Sequence, residues 1–256
     1  MSASAPTLFV DRRGSGPPVV LAHGFAGSAR NFRPQMKALA DVATVVAYDA
    51  RGHARSEAPP EPEAYEFERL IDDFERVAAE AGETVVAGGL SLGAITALGF
   101  AARRPERVRA LFLASLPGAG TWRPDWAIGF ADAIEREGLD AAGAAYVWGE
   151  RSRFDPAGAK LIRTGLLEHP PHALVHLLRR TLAVLPEATA LARPLADRGL
   201  RVTLVAGADD APALEPSRAL AALLPGAELT IVPNAGHVVN LAAPEAVSAK
   251  LRATLA

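Results

Sequence analysis

The chain has 256 residues, half of them hydrophobic and 22 % charged, with a formal net charge of -2 at neutral pH. That supplies enough apolar side chain for a full core, while a charge so near zero offers no basic field to a nucleic acid backbone. There is no cysteine, so disulfides, thiolate metal sites and a thiol nucleophile are excluded.

The first residues, MSASAPTLFVDRRG, have no charged start followed by an apolar stretch of leader length, and no apolar span of membrane length follows. A cytoplasmic protein without a membrane or nucleic acid partner is expected. The first predicted strand is PPVVLAHG (17–24), followed by a helix over 28–40, a strand VATVVAYDA (42–50) and a helix over 65–81. ETVVAGGL (83–90) and VRALFLAS (108–115) are strands on either side of a helix over 92–103. The last strands are RVTLVAGA (201–208) and AELTIVP (227–233), with helices over 216–224 and 244–255. These strands are almost continuously apolar, as parallel strands covered on both faces must be. Their alternation with helices predicts an α/β protein with a doubly wound, mostly parallel sheet. Between about residue 117 and residue 194 the spacing is helical throughout. The expected organisation is therefore a core from 1–116 and 195–256, with a helical cap from 117–194 inserted over the working edge of the sheet.

One apolar run, VVAGGLSLGAITAL (85–98), is broken by glycines around Ser91. A strand ending at Leu90 and a helix starting at Leu92 hold Ser91 on a sharp corner, with Gly89 and Gly93 where a side chain would collide as strand and helix pass. This is the G-x-S-x-G nucleophile elbow. A serine hydroxyl needs a base, and the base needs a partner that fixes its tautomer. Downstream, VTLVAGADDAP ends a strand with Asp209 and Asp210, and TIVPNAGHVVN ends the next with His237. Carboxyl ends of strands are where open α/β sheets place their sites. The chain order serine, aspartate, histidine suits the elbow. The amide of Leu92, at the start of a helix, is the expected first donor to an oxyanion.

The stretches VLAHGFAGS (20–28), VVAYDARGHARSEAP (45–59), GLSLGA (89–94), RRPERVRALFLAS (103–115), GADDAP (207–212) and NAGHVVNLAAPEAV (234–247) together resemble the α/β-hydrolase superfamily. Within it, the chain is most similar to small bacterial serine carboxylesterases and the 3-oxoadipate enol-lactonase group. The resemblance implies Ser91, Asp210 and His237 as the catalytic residues, with Asp210 chosen over Asp209 as the fourth residue of the turn beginning at Gly207. It implies Phe25 as the second oxyanion donor beside Leu92, and His23 as a structural residue of the oxyanion loop. The chain departs from the family pattern at Ala54 and Ala94, where glycine is frequent. It also departs at Ala242, where an acidic residue often supports the histidine loop. Ser91 speaks against the haloalkane dehalogenases and epoxide hydrolases, which form their ester on an aspartate.

The resemblance thus implies a serine hydrolase of a small carboxylic ester or lactone, working without cofactor or metal, as a monomer or homodimer. A perhydrolase, a C–C bond hydrolase using the same three residues, and a ligand receptor of the same fold are the alternatives. Trp122, Trp126, Trp148 and Val238 are the expected substrate contacts. Trp122, Trp126 and Phe130, spaced by four, form one face if helical, which suits packing of cap on core as well as a lid. His172 and His176 are also four apart, but no third ligand accompanies them, and a solvated helix face is the expectation. Arg163, Arg179 and Arg180 are expected at the surface.

Overall fold

The six predicted strands form, and a seventh joins them. The computed structural model describes residues 5–118, 124–148 and 156–255. The strands are β1 (Val10–Arg13), β2 (Pro18–Ala22), β3 (Thr44–Tyr48), β4 (Val85–Leu90), β5 (Val108–Ala114), β6 (Arg201–Gly207) and β7 (Ala227–Val232). They make one sheet in the order β1-β3-β2-β4-β5-β6-β7. β1 pairs antiparallel with β3 and every other pair is parallel. β1 carries no strand signal in the sequence because three of its four residues, VDRR, are polar. It is a short edge strand whose exposed Arg12 and Arg13 discourage pairing with another chain.

The chain winds outward from β2 to β3, then returns to the other side of β2 to lay down β4, β5, β6 and β7. The crevice between the carboxyl ends of β2 and β4 is therefore the point where strand order reverses, the usual seat of a ligand in such sheets. The helices around the sheet begin with α1 (Arg33–Leu39), α2 (Phe67–Ala81) and α3 (Leu92–Arg103). Next come α4 (Pro124–Glu137), α5 (Leu139–Gly143), α6 (Pro156–Leu166), α7 (Pro171–Arg180) and α8 (Ala188–Ala192). The last are α9 (Ala211–Leu223), α10 (Val239–Ala242) and α11 (Pro244–Thr254).

Strand side chains alternate between two cores because successive residues of a strand face opposite ways. Val20, Ala22, Val46, Tyr48, Ala87 and Leu111 face the core that holds α2 and α3. Val19, Leu21, Val45, Ala47, Val86 and Phe112 face the one that holds Met36 of α1 and Val247 and Leu251 of α11. In α2 the buried set Phe67, Leu70, Ile71, Phe74, Val77 and Ala78 recurs every three or four residues, the stripe of a helix with one wet face. α3 is instead buried from Leu92 to Ala101, as befits the helix that carries Ser91 into the centre.

Two boundaries differ from the sequence reading. α9 starts at Ala211 rather than 216, because Asp210 is its N-cap and Pro212 lies in the first turn; Pro216 sits inside the helix. The segment 28–40 divides into a 3-10 turn, Ala29–Phe32, and α1, with Pro34 in the first turn of the α-helix where its missing N–H costs nothing.

Between β5 and β6 the regular elements of the described residues are all helical. This segment joins the same core as α2 and α3 through Phe130, Leu174, Val175 and Leu178. It rests on loops that follow β2 and β3. His172 Nε2 and His176 Nε2 donate to the carbonyls of Ala58 (3.3 Å) and Pro60 (3.2 Å), and Thr181 Oγ1 donates to the Tyr65 carbonyl. The two histidines thus dock α7 on the loop before the 3-10 turn Pro62–Tyr65. Among the described residues no helix is long and apolar enough to cross a membrane.

Candidate active site

Ser91 links β4 directly to α3, and its backbone has φ 54° and ψ -118°. A non-glycine residue at positive φ is strained, and it is held by its neighbours. Its N–H donates to Ala114 O at 2.9 Å and its carbonyl accepts from Ala94 N at 2.8 Å. Gly89 and Gly93 occupy the positions where strand and helix nearly touch: a Cβ on Gly89 would lie 2.4 Å from the Gly93 carbonyl carbon. The corner lifts the hydroxyl out of the helix, although Ser91 as a residue is only 3 % exposed.

His237 Nε2 lies 2.9 Å from Ser91 Oγ, and His237 Nδ1 lies 2.9 Å from Asp210 Oδ2. The carboxylate can only accept, so Nδ1 carries the proton and Nε2 is left bare to accept the serine O–H. The order and spacing of the three groups match what a nucleophilic serine requires. Three residues separated by 119 and 27 positions along the chain (210 − 91 and 237 − 210) are therefore one hydrogen-bonded line.

The two neighbouring aspartates sit in different surroundings. Asp210 is 5 % exposed and Asp209 points into solvent. The Asp209 N–H donates to Ala235 O at 3.0 Å, tying the turn after β6 to the loop that carries His237. A Cβ on Gly207 would stand 2.1 Å from Ala235 O and 2.5 Å from Gly236 O, so the turn and the histidine loop lie backbone to backbone.

The support of that loop comes from residues the sequence did not point to. Ala242 lacks the acidic group frequent there, and Asn240 supplies the anchor from two positions earlier. Its Nδ2 donates to Asn31 O at 2.8 Å, and its own carbonyl accepts from Gln35 Nε2 at 2.9 Å. Both Asn240 and Gln35 are fully buried. The available signal was Asn240, a single amide in the otherwise apolar run VVNLAA.

Phe25 follows β2 in a turn that abuts Ser91: a Cβ on Gly24 would be 3.3 Å from Ser91 Cβ. Neither the Phe25 nor the Leu92 N–H has an acceptor among the described residues. For Leu92 the cause is its place in the first turn of α3, whose amides have no carbonyl one turn back. Two donors beside one hydroxyl, one of them at the positive end of a helix, suit an oxygen that gains negative charge.

The loop after β3 backs this turn. Asp49 is fully buried; burial alone would raise its pKa, but hydrogen bonds from Arg55 and from the Ala29 N–H outweigh it and hold the carboxyl below its ordinary range. His23 Nδ1 donates to Gly24 O at 2.7 Å and its Nε2 accepts from Ala50 N at 2.9 Å. Both ring nitrogens of His23 are thus engaged by the backbone.

The expected substrate contacts divide. Trp122 lies outside the described residues. Trp126 is half-buried on α4, with its ring 5.5 Å from that of Phe130, which is fully buried and in turn 6.5 Å from the ring of Phe25. The aromatic face of α4 therefore reaches the turn beside Ser91. Trp148 is elsewhere, stacked on Gly143 so closely that a Cβ there would lie 1.8 Å from its ring. Val238 is partly buried against the core shared with α11. Arg163 pairs with Asp140, Arg179 with Asp132 and Glu135, and Arg180 with Glu63, so these three guanidinium groups have surface acids as partners. Among the described residues no group of three or more His, Asp or Glu side chains is arranged to hold a metal ion.

Residues 19–250 match the family model described as the alpha/beta hydrolase family. A 2-(acetamidomethylene)succinate hydrolase from Mesorhizobium japonicum is 30 % identical over 262 residues, covering 93 % of this chain and 88 % of that protein. A hydrolase of Bacillus subtilis is 39 % identical over 100 residues, a stretch that spans 39 % of this chain and only 37 % of that protein. Among solved structures, a thermophilic esterase from Thermogutta terrifontis superposes with a TM-score of 0.83 at 26 % identity, covering 99 % of this chain and 95 % of the other. An enol-lactonase from Burkholderia xenovorans has the same fold, with a TM-score of 0.84 at 22 % identity and coverage of 100 % and 98 %. By its strand order, its elbow and this match along nearly its whole length, the chain belongs to the alpha/beta hydrolase family.

Proposed function

We propose that the protein is a serine hydrolase of a small carboxylic ester or lactone, with Ser91 as nucleophile, His237 as general base and acid, and Asp210 as the group that orients the imidazole. The observation that carries this reading is the pair of 2.9 Å contacts that join the three side chains in one line. Ser91 Oγ gives its proton to His237 Nε2 and attacks the carbonyl carbon. The amides of Phe25 and Leu92 hold the resulting oxyanion. The tetrahedral intermediate collapses to an acyl-enzyme as Nε2 returns the proton to the departing alkoxide. Water then gives a proton to Nε2 and attacks the acyl carbon, which frees the acid and restores the Ser91 hydroxyl.

An epoxide hydrolase of this fold needs an aspartate at the elbow, by the resemblance noted above, and this elbow carries Ser91. In this reading the helical segment between β5 and β6 acts as a cap, with Trp126 and Phe130 as the wall nearest the acyl group.

The test is a panel of p-nitrophenyl esters of increasing acyl length, several lactones, and 2-(acetamidomethylene)succinate, which the relative's name suggests. Multiple turnovers on at least one ester or lactone, abolished in Ser91→Ala, are expected. Absence of turnover on the whole panel, or an unimpaired Ser91→Ala, overturns the proposal.

A further inference from the structure

Three buried histidines outside the hydroxyl–imidazole–carboxylate line form a row beneath the turn that carries Phe25. The rings of His23 and His53 are 4.8 Å apart and those of His53 and His169 are 5.0 Å apart, each pair edge to face. They come from the end of β2, the loop after β3 and the segment between α6 and α7. Their hydrogen bonds fix their protons. A ring nitrogen that faces a backbone N–H must be bare, and one that faces a carbonyl must be protonated. His53 Nδ1 donates to Arg51 O at 3.0 Å, and its Nε2 accepts the N–H of Ala26 at 3.2 Å. His169 Nδ1 accepts the N–H of Ala54 at 2.9 Å. His169 Nε2 is buried without a full hydrogen bond, and the Ala26 carbonyl is the backbone group that favours a proton there.

Ala26 is the residue after Phe25 and sits at φ 55°, a conformation an L-residue holds only when its surroundings enforce it. Its N–H is taken by His53, and its carbonyl faces His169. A Cβ on Gly165 of α6 would lie 3.7 Å from the same carbonyl. The helical segment between β5 and β6 therefore comes close to the carbonyl of the residue that follows Phe25.

We propose that His169 is a positioning residue for the oxyanion turn: by holding the Ala54 N–H and packing its ring on His53, it keeps the Ala26 peptide in its strained orientation. The helical segment and the Phe25 donor are then competent together or not at all. The inference rests on the serine hydrolase reading for its kinetic consequence, but its structural part does not.

All three rings must stay neutral for this arrangement, since each accepts a hydrogen bond at one nitrogen. Burial is the chief cause that keeps them so: it brings His23 down to about 4 and lowers His53 and His169 from the usual range. The charged groups around them are the Asp49 carboxylate, bound by Arg55, and Glu168, paired with Arg30.

Two variants separate positioning from packing. His169→Leu fills the space without an acceptor, and His169→Asn places an oxygen where Nδ1 stands. With p-nitrophenyl acetate, His169→Leu is expected to lose about tenfold or more in kcat, with KM changed less than about twofold, because a misaimed donor acts on the transition state. His169→Asn is expected to recover most of that loss. Amide hydrogen exchange at Ala26, measured without substrate, is expected to be about tenfold faster in the leucine variant and near wild type in the asparagine variant. Unchanged Ala26 exchange in His169→Leu, or equal kcat losses in both variants, overturns the proposal. A wild-type protein that cleaves no ester, while Ala26 exchange responds as described, overturns the hydrolase reading alone.

Discussion

Gly93 rests directly on the carbonyl of Ala22: a Cβ at Gly93 would be 1.9 Å from that oxygen and 2.4 Å from its carbon. Both partners are backbone, so neither can turn aside. Gly93→Ala must push α3 away from β2 and so separate the Leu92 amide from the Phe25 turn. A loss of about 3 kcal/mol or more is expected, at the upper end of overpacking effects. Urea denaturation checks this, and an unshifted midpoint would show that the helix can move without cost.

Ser91 offers a second test, in which activity and stability part. Its φ of 54° is comfortable only for glycine, so Ser91→Gly is expected to be inactive and yet about 1 kcal/mol more stable than wild type. Ser91→Ala keeps the strain and loses the proposed nucleophile, with kcat expected to fall by roughly 10³ or more and Tm nearly unchanged. Ester hydrolysis assays beside thermal melts read both effects. A destabilised Ser91→Gly would mean that the corner carries no strain.

The neighbouring aspartates are distinguishable by single substitution. Asp210→Asn keeps its size but replaces the acceptor that fixes the His237 tautomer, and kcat is expected to fall by about 10⁴-fold. Asp209→Asn alters an exposed side chain whose structural bond is made by its backbone N–H, and kcat is expected to stay within about twofold. Equal losses in the two variants would remove the case for Asp210.

The buried histidines set the acid side of the stability curve. In the unfolded chain His23 takes a proton near 6.5, whereas in the folded protein, chiefly through burial, it does so only near 4. Between those values the unfolded state binds more protons, so stability is fully present above pH 6.5 and declines as the pH falls towards 4. The gap corresponds to about 3 kcal/mol from this residue alone. His53 and His169 are lowered in the same direction. Urea midpoints at pH 7.5 and 4.5 check it, and equal midpoints would contradict neutral burial of the three rings.

The histidine loop depends on amides rather than on charge. Asn240→Ala leaves Gln35 its bond to the backbone carbonyl but removes the donor to Asn31 O and opens a void. A loss of about 1–3 kcal/mol is expected, together with a lower kcat as His237 becomes less firmly placed. Stability and turnover measured on the same preparation test both. A fall in stability with kcat unaltered would confine Asn240 to a packing role.

Local pattern was sufficient for much of this molecule. Continuous apolar runs such as VVLA and VVAY mark strands covered on both faces, and Gly89, Ser91 and Gly93 mark the corner after β4, because backbone preferences and side-chain periodicity act over a few residues. The same reach explains what was missed. β1 has no apolar signature, since its partner β3 and an edge position decide it. The choice of Asp210 came by likeness to a family, and its physical basis is burial under the N-terminus of α9 while Asp209 turns out to solvent.

Other features exist only in three dimensions. Asn240 meets Asn31 across 209 residues, and His169 meets Ala54 across 115. No periodicity encodes such pairs, because a hydrogen bond between distant segments depends on how helices and loops pack after the sheet has formed. The amino-acid order by itself determined the six parallel strands, the elbow and the strand ends that bear Asp210 and His237. The tertiary structure alone decided that those ends converge to within 2.9 Å of one another's side chains, and that a histidine from the helical segment braces the turn beside them.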